Sequence, residues 1–405
     1  MDVITADDDY EIVAFRRDPV YDDFMRAIPI IKQFIIKNKL VVYGGTAIDF
    51  ALRLKGGKLY SDDSPKAIDL DFYSSTHADH AYELAIELYE SGFTKSRVIN
   101  ATHYSTMRVD IVDNHFIADI SYLPEDVLKS VPTLTYQGML FVHPHFQALD
   151  VHSSLSFPYY GSPFENIFNR WKKDITRLNM LLIKYPLGKP EPVKKPTHLI
   201  KINTQYILQG FSAYAVIKHI IGEKTITKIG NDLNFLSQEK YADIIHHNPA
   251  KFAPFDAKYE PFGTIIPEIY IVGNLRIFSS ENELVSINEV EIEGAKLRVA
   301  NIQTTLRWFL GMYYKSGDKM YLAHYLSLMQ LINRDESIFK PSIMTYGAVS
   351  KSQTHIINQN KLYSQIYGDV IAHKMPTNYY PARGNRQPVF DYDSIFFQMS
   401  GKKIE

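Results

Sequence analysis

Val41-Val42-Tyr43-Gly44-Gly45-Thr46 and, further on, Ile68-Asp69-Leu70-Asp71-Phe72 are the stretches whose reading decides this fold. In the first, a short apolar strand meets a Gly-Gly turn and enters a helix over 46–54, with Ala47, Phe50, Ala51 and Leu54 on one side. Glycines let the backbone approach a ligand closely, and the open N–H groups and dipole of a helix start favour anions. Gly44, Gly45 and the Thr46 hydroxyl are therefore candidate phosphate holders. In the second, a strand over 67–73 carries two carboxylates at i and i+2. Side chains alternate along a strand, so Asp69 and Asp71 share a face while Ile68, Leu70 and Phe72 take the other. Two carboxylates with Cα atoms roughly 7 Å apart suit a pair of divalent ions about 4 Å apart, the arrangement of phosphoryl and nucleotidyl transfer.

Working outward, 94–101, 105–112 and 116–122 read as strands, with Asp113-Asn114 as a hairpin signal. Met107, Val109 and Ile111 share a face of one strand. In the next, Ala118, Ile120 and Tyr122 share a face and leave Ile117, Asp119 and Ser121 on the other. A strand aspartate flanked by apolar residues is costly unless paired or bound to metal, which makes Asp119 the candidate third ligand. Helices are expected over 21–39, where Tyr21, Phe24, Ile28, Ile31, Phe34 and Ile35 recur at helical spacing, and over 77–91, stopped at Gly92. The order predicts an α/β (α+β) domain on a mixed sheet, closing near residue 155. An amphipathic helix comes next, over 164–185, with Lys172, Lys173, Arg177 and Lys184 opposite its apolar stripe.

Composition narrows the chemistry. The 405 residues are too many for one ordinary domain, and 45% apolar with 22% charged residues is the balance of a globular chain. There is no cysteine, so thiol nucleophiles and Cys zinc sites are excluded. Metals must be held by Asp, Glu or His, and oxygen donors favour Mg2+ or Mn2+. No apolar run approaches a membrane span, and the acidic Met1–Asp9 stretch has none of the character of a signal peptide. An intracellular setting is expected. Charge is segregated: the first ninety residues are acidic, whereas 166–218 hold 10 Lys and Arg against 2 Asp and Glu. An acidic centre beside a basic segment suits an enzyme that grips a polyanion, with Lys172, Lys173, Arg177, Lys194 and Lys195 as candidate phosphate contacts.

Residues 186–196 carry four prolines and define the expected linker. The domain expectation is thus a catalytic unit over 1–186, a linker over 187–201, a second α/β domain over 202–340 and a Tyr- and Pro-rich tail over 341–405. In the second domain helices are expected at 203–222, 238–248, 301–315 and 318–333, with strands within 264–278 and 284–300. Ile269-Tyr270-Ile271-Val272-Gly273-Asn274 suggests a second, degenerate copy of the first domain; lacking Asp-x-Asp, it would be non-catalytic.

Tyr43-Gly44-Gly45-Thr46-Ala47, Ile68-Asp69-Leu70-Asp71-Phe72 and Ala118-Asp119-Ile120-Ser121-Tyr122 together resemble the DNA polymerase β-type nucleotidyltransferases. Within that superfamily the chain is similar to the poly(A) polymerase catalytic subunits of poxviruses and giant viruses. Ala101-Thr102-His103-Tyr104-Ser105-Thr106 and Ser154-Leu155-Ser156-Phe157-Pro158, leading to Arg170-Trp171-Lys172-Lys173, carry the narrower likeness. The 23 residues between Gly45 and Asp69 exceed the superfamily's usual interval, which speaks against cellular relatives.

The resemblance implies template-independent addition of AMP from ATP to RNA 3′ ends. Asp69 and Asp71 would bind two ions, Asp119 would complete one of them, and Gly44, Gly45 and Thr46 would hold the triphosphate. It leaves a homodimer and a separate processivity subunit both open as partners, and host cytoplasm or virion as the location. CCA-adding, oligoadenylate-forming or small-molecule nucleotidyltransferases share the same motifs, and a non-catalytic RNA-binding subunit on the same fold is the alternative outside enzymes.

Overall fold

The computed structural model describes residues 12–62, 64, 69–101, 106–112, 115–123, 125–156, 167–187, 207–220, 233–237, 253–254, 268–272, 275–279, 287–292, 294–300, 302–334, 376–390 and 392. The chain forms two compact units, one of 1–147, 179–185 and 343–405, the other of 148–178 and 186–342.

The first unit runs α1 (Tyr21–Lys37), β1 (Val41–Val42), α2 (Gly44–Arg53), β2 (Leu70–Ser74), α3 (His77–Glu90), β3 (Arg97–Asn100), β4 (Thr106–Val112), β5 (His115–Tyr122), α4 (Glu125–Ser130), β6 (Thr133–Tyr136) and β7 (Met139–Val142). Its strands form one mixed sheet in the order β3-β4-β5-β2-β1-β7-β6. β2 is parallel to β5 and β1 to β7; the other neighbours are antiparallel. The strand alternation read from the sequence produces two chemically distinct faces. Val42, Leu70, Phe72, Met107, Val109, Ala118 and Ile120 share one core with Ile31, Phe34 and Ile35 of α1 and Tyr82, Ala85 and Leu88 of α3. Removing this apolar surface from water is the main stabilising contribution, about 25 cal/mol per Å². The opposite face holds the polar side chains of the candidate site.

Helices α5 (Pro144–Ser156) and α6 (Ile167–Lys184) come next in the chain. The second unit then runs β8 (Ile207–Gln209), α7 (Gly210–Ile220), β9 (Leu233–Ser237), β10 (Ala253–Pro254), β11 (Glu268–Val272), β12 (Leu275–Ser279), β13 (Ile287–Ile292), β14 (Ala295–Ala300), α8 (Ile302–Ser316) and α9 (Lys319–Arg334). Its sheet order is β10-β11-β12-β9-β8-β14-β13. Strand for strand this repeats the first sheet, and every neighbouring pair keeps its direction. Both units also turn from strand to helix at a glycine with positive φ, Gly44 at +69° and Gly210 at +59°.

Register identifies what the second copy has lost. In the first unit Tyr43 N–H donates to Asp71 O, and Asp71 lies beside Asp119. In the second, Gln209 pairs with Asn234, and Asn234 lies beside Arg276. An amide and a cation thus stand at the positions of the two aspartates. A Cβ on Gly210 would meet the Trp308 ring at 2.9 Å, where one on Gly44 would meet the Asp71 carboxylate.

Several expectations are corrected. The 203–222 helix is a strand, β8, and a helix that starts at Gly210. The β6–β7 hairpin and β9 were not expected; the hairpin turns through Gln137 at φ +50° and Gly138 at φ +80°. The first unit does not run unbroken to 186, since 148–178 belongs to the second unit. Of the segment expected as a tail over 341–405, the described residues 376–390 and 392 belong to the first unit. Within it, Tyr379 pairs with Val98 of β3 through two backbone hydrogen bonds of 2.8 and 3.0 Å. The linker over 188–201 and the helix expected at 238–248 lie outside the described residues.

Candidate active site

Three neighbouring strands bring Arg108, Asp119 and Asp71 into one row on the polar face of the first sheet, because β4 pairs Arg108 with Asp119 and β5 pairs Asp119 with Asp71. Tyr43, joined to Asp71 through the backbone, extends the row at the mouth of α2. Asp69 is exposed and stands one residue before β2.

Gly44 closes on this row. A Cβ there would lie 2.5 Å from Asp71 Oδ2, and its φ of +69° belongs to the left-handed region. The helix opens at Gly44 itself, two residues earlier than the sequence predicts, so Gly44, Gly45 and Thr46 form its first turn. Thr46 also ties the site together. It is buried, and its hydroxyl donates to Asp69 O at 2.7 Å, tying the start of α2 to the backbone of the first aspartate.

Asp49 and Arg53 of α2 organise the chain beyond the helix. Asp49 is buried and accepts the N–H groups of Leu59 and Tyr60 at 2.7 and 3.0 Å. Arg53 donates to Asp49, to Tyr60 O at 2.9 Å and to Asp62. The pair thereby fixes the chain leaving α2 on its way to Asp69. Behind the carboxylate row, the hydroxyls of Tyr43, Ser121 and Thr106 form a chain with two 2.7 Å links, and the Tyr43 and Tyr73 rings stack at 4.0 Å.

Arg108 is the site residue not singled out in the sequence. Its Nε and Nη2 donate to the two oxygens of Asp119 at 2.7 and 2.5 Å, and its guanidinium lies 4.4 Å from the Phe116 ring centre. The hydrogen bonds to Asp119 hold its pKa above the ordinary arginine value, and the charges of Asp119, Asp69 and Asp71 act in the same sense. All three aspartates thus act on a single cation. The signal was present: if Met107 and Val109 face the core, Arg108 must face the carboxylates.

The donor set fits Mg2+ or Mn2+, being carboxylate oxygens beside a glycine cradle that a Cβ would fill. Among the described residues, no three of these groups converge as a finished metal cage. Both Asp119 oxygens are turned to Arg108 instead.

Of the expected RNA contacts, the side chains of Lys173 and Arg177 are described. Lys173 is exposed on α6, but Arg177 is half-buried and lies 3.8 Å from Asp174. The side chain of Lys172 and the whole of Lys194 and Lys195 lie outside the described residues.

A mixed sheet that carries aspartates on adjacent strands, reached by a strand–glycine–helix turn, has the architecture of the nucleotidyltransferases. The family model for the poly(A) polymerase catalytic subunit matches residues 29–161, which contain Gly44, Asp69, Asp71, Arg108 and Asp119. A candidate poly(A) polymerase catalytic subunit of African swine fever virus is 28% identical, over 97% of this chain and 96% of its own. That of Acanthamoeba polyphaga mimivirus is 26% identical over 57% of this chain and 43% of its own. The crystal structure of the Megavirus polyadenylate synthase superposes with a TM-score of 0.65 at 19% identity, covering 98% of this chain and 87% of that one. In sequence the chain is thus similar to the poly(A) polymerase catalytic subunits of these large DNA viruses.

Proposed function

We propose that this chain extends RNA 3′ ends with AMP taken from ATP, without a template, at the row of Asp71 and Asp119 together with Asp69 just before β2. The observation that carries the reading is the register of Asp71 beside Asp119, with Gly44 against the Asp71 carboxylate. Asp69 and Asp71 would hold two Mg2+ or Mn2+ ions, and Asp119 one of them. Such ions, when bound, neutralise phosphate charge and lower the pKa of an attacking hydroxyl. The first turn of α2, from Gly44, offers its backbone N–H groups to the triphosphate. Thr46 serves by holding Asp69 in place. The RNA 3′ oxygen forms a bond to the α-phosphorus as the bond to the β-phosphate oxygen breaks. Pyrophosphate leaves, and Asp119 takes the 3′ proton. Catalysis rests chiefly on positioning and charge.

The word subunit in the relatives' names favours a companion chain, and their viral sources favour action in the host cytoplasm or virion. Among the described residues no helix is long and apolar enough to cross a membrane.

The test is extension of a labelled RNA primer with each NTP separately, in Mg2+ or Mn2+. Long ladders with ATP alone are expected, and Asp71→Asn or Asp119→Asn is expected to reduce them by at least about a thousandfold while the fold survives. A product of three added nucleotides, or acceptor-free oligoadenylate, transfers the chain to a sister activity. Full extension by either variant removes these aspartates from the chemistry.

A further inference from the structure

Arg108 occupies both oxygens of the aspartate on which the proposed chemistry depends. The pairing is specified by the fold: β4 and β5 place the two residues directly opposite each other, and a planar fork meets a planar carboxylate with two donors on two acceptors. Phe116, on the strand that carries Asp119, lies against the guanidinium. The pair is neither solvated surface nor sealed core, with the Arg108 side chain 32% exposed and that of Asp119 17%. A guanidinium in this position can exchange partners.

We propose that Arg108 is a displaceable counter-ion that holds Asp119 when no metal is bound, so that the ion shared by Asp119 enters only after the guanidinium has left. Each oxygen of Asp119 already accepts one N–H of the guanidinium fork, whose positive charge repels a cation approaching the same carboxylate. An arriving triphosphate gives Arg108 a second set of oxygen acceptors, for which guanidinium is well suited. Departure from Asp119 then costs little, and the second ion site forms with the nucleotide already present. Arg108 is in these terms a positioning residue: it keeps the carboxylates from repelling one another before substrate arrives and couples completion of the ion pair to phosphate binding.

The inference rests on Asp119 being an ion ligand, and the experiment separates the two claims. Mn2+ binding to the nucleotide-free protein is followed by the loss of free-ion paramagnetic resonance signal, for the wild type, Arg108→Gln, Arg108→Lys, Asp119→Asn and the Arg108→Gln/Asp119→Asn double variant. Circular dichroism and thermal unfolding identify any variant that does not fold. In the wild type Asp119→Asn is expected to change Mn2+ affinity less than about twofold, because Asp119 is already engaged. Arg108→Gln is expected to tighten binding about tenfold, and the double variant to lose that gain. Arg108→Lys keeps the charge and abolishes the fork, so it is expected to gain about threefold; it carries the test if Arg108→Gln does not fold. If neither Arg108 variant binds Mn2+ more tightly than wild type while Asp119→Asn weakens binding, the counter-ion role is overturned and the ligand role stands. If the gain persists in the double variant, it comes from relief of the Arg108 charge on Asp69 and Asp71, and the counter-ion role at Asp119 is overturned.

Discussion

At the scale of single residues, the geometry around Gly44 is the most demanding in the site. An L-residue there must adopt φ near +69°, which costs about 1–2 kcal/mol, and its Cβ must push aside an oxygen it approaches to 2.5 Å. That oxygen is the mobile end of Asp71, so the displacement is felt by the ligand set more than by the core. Gly44→Ala is therefore expected to lower primer extension by about a hundredfold or more while costing only about 1–2 kcal/mol of stability. Rates together with urea unfolding check this, and wild-type rates in the variant refute the close approach. The sequence singles out Gly44, Asp71 and Asp119 because each is the wrong residue for a plain strand or helix: a flexible turn, or a charge among apolar neighbours. It did not announce the bond from Thr46 to the backbone of Asp69. A hydroxyl at a helix start suits a phosphate or a backbone carbonyl equally, and only tertiary structure brings Asp69 O within 2.7 Å.

At the scale of elements, long periodic segments were legible and short ones were not. Helix α1 and strands β4 and β5 carry enough alternation to be read directly. Strand β8 is three residues long and merges in the sequence with the helix after it, although Gly210 marks the boundary. The hairpin β6–β7 carries only a faint turn signal, Gln137-Gly138, between strands of four residues each. Least legible was the segment at 376–392, whose role depends on a partner nearly three hundred residues earlier. It completes the edge strand β3 through Tyr379, while Tyr82 Oη donates to Thr377 O at 2.9 Å and Asn100 Nδ2 to Pro376 O at 2.7 Å. Further along, Tyr392 Oη accepts the Asp79 N–H at 2.9 Å. An uncovered sheet edge is a site for unwanted pairing. A chain ending at residue 375 is expected to lose roughly 3–5 kcal/mol from the first unit, given several hydrogen bonds at about 1 kcal/mol each and the burial of the Tyr379 ring. Urea unfolding followed by circular dichroism reads this as an earlier first transition. An unchanged curve would mean that the segment merely rests on the sheet.

At the scale of the molecule, the two units are built to one plan but keep different residues at its centre, and the first buries His77 while the second buries His152 and His324. His77 in the first is surrounded by the rings of Tyr122, Phe390 and Tyr392, and burial pushes its pKa down to about 3. His152 in the second is bonded to Gln303 and Tyr325 at 2.8 Å, and burial brings it down to about 4. Both are therefore neutral in the folded protein at pH 7, and the ordinary value of about 6.5 applies once the chain unfolds. Below pH 6.5 the unfolded chain takes up protons that the native one refuses, so stability is full above that value and falls as the pH drops toward 4. Each histidine contributes about 1.4 kcal/mol per pH unit to this loss. The two tryptophans of the chain, Trp171 and Trp308, both lie in the second unit, so their fluorescence reports its unfolding alone. The unfolding free energy read by fluorescence in urea is expected to fall between pH 7 and pH 5, and to fall by about 2 kcal/mol less over that interval in His152→Gln. His77→Phe is expected to leave that fluorescence slope untouched and to flatten only the transition of the first unit seen by circular dichroism. Parallel slopes for wild type and His152→Gln would show that the acid sensitivity of the second unit arises elsewhere.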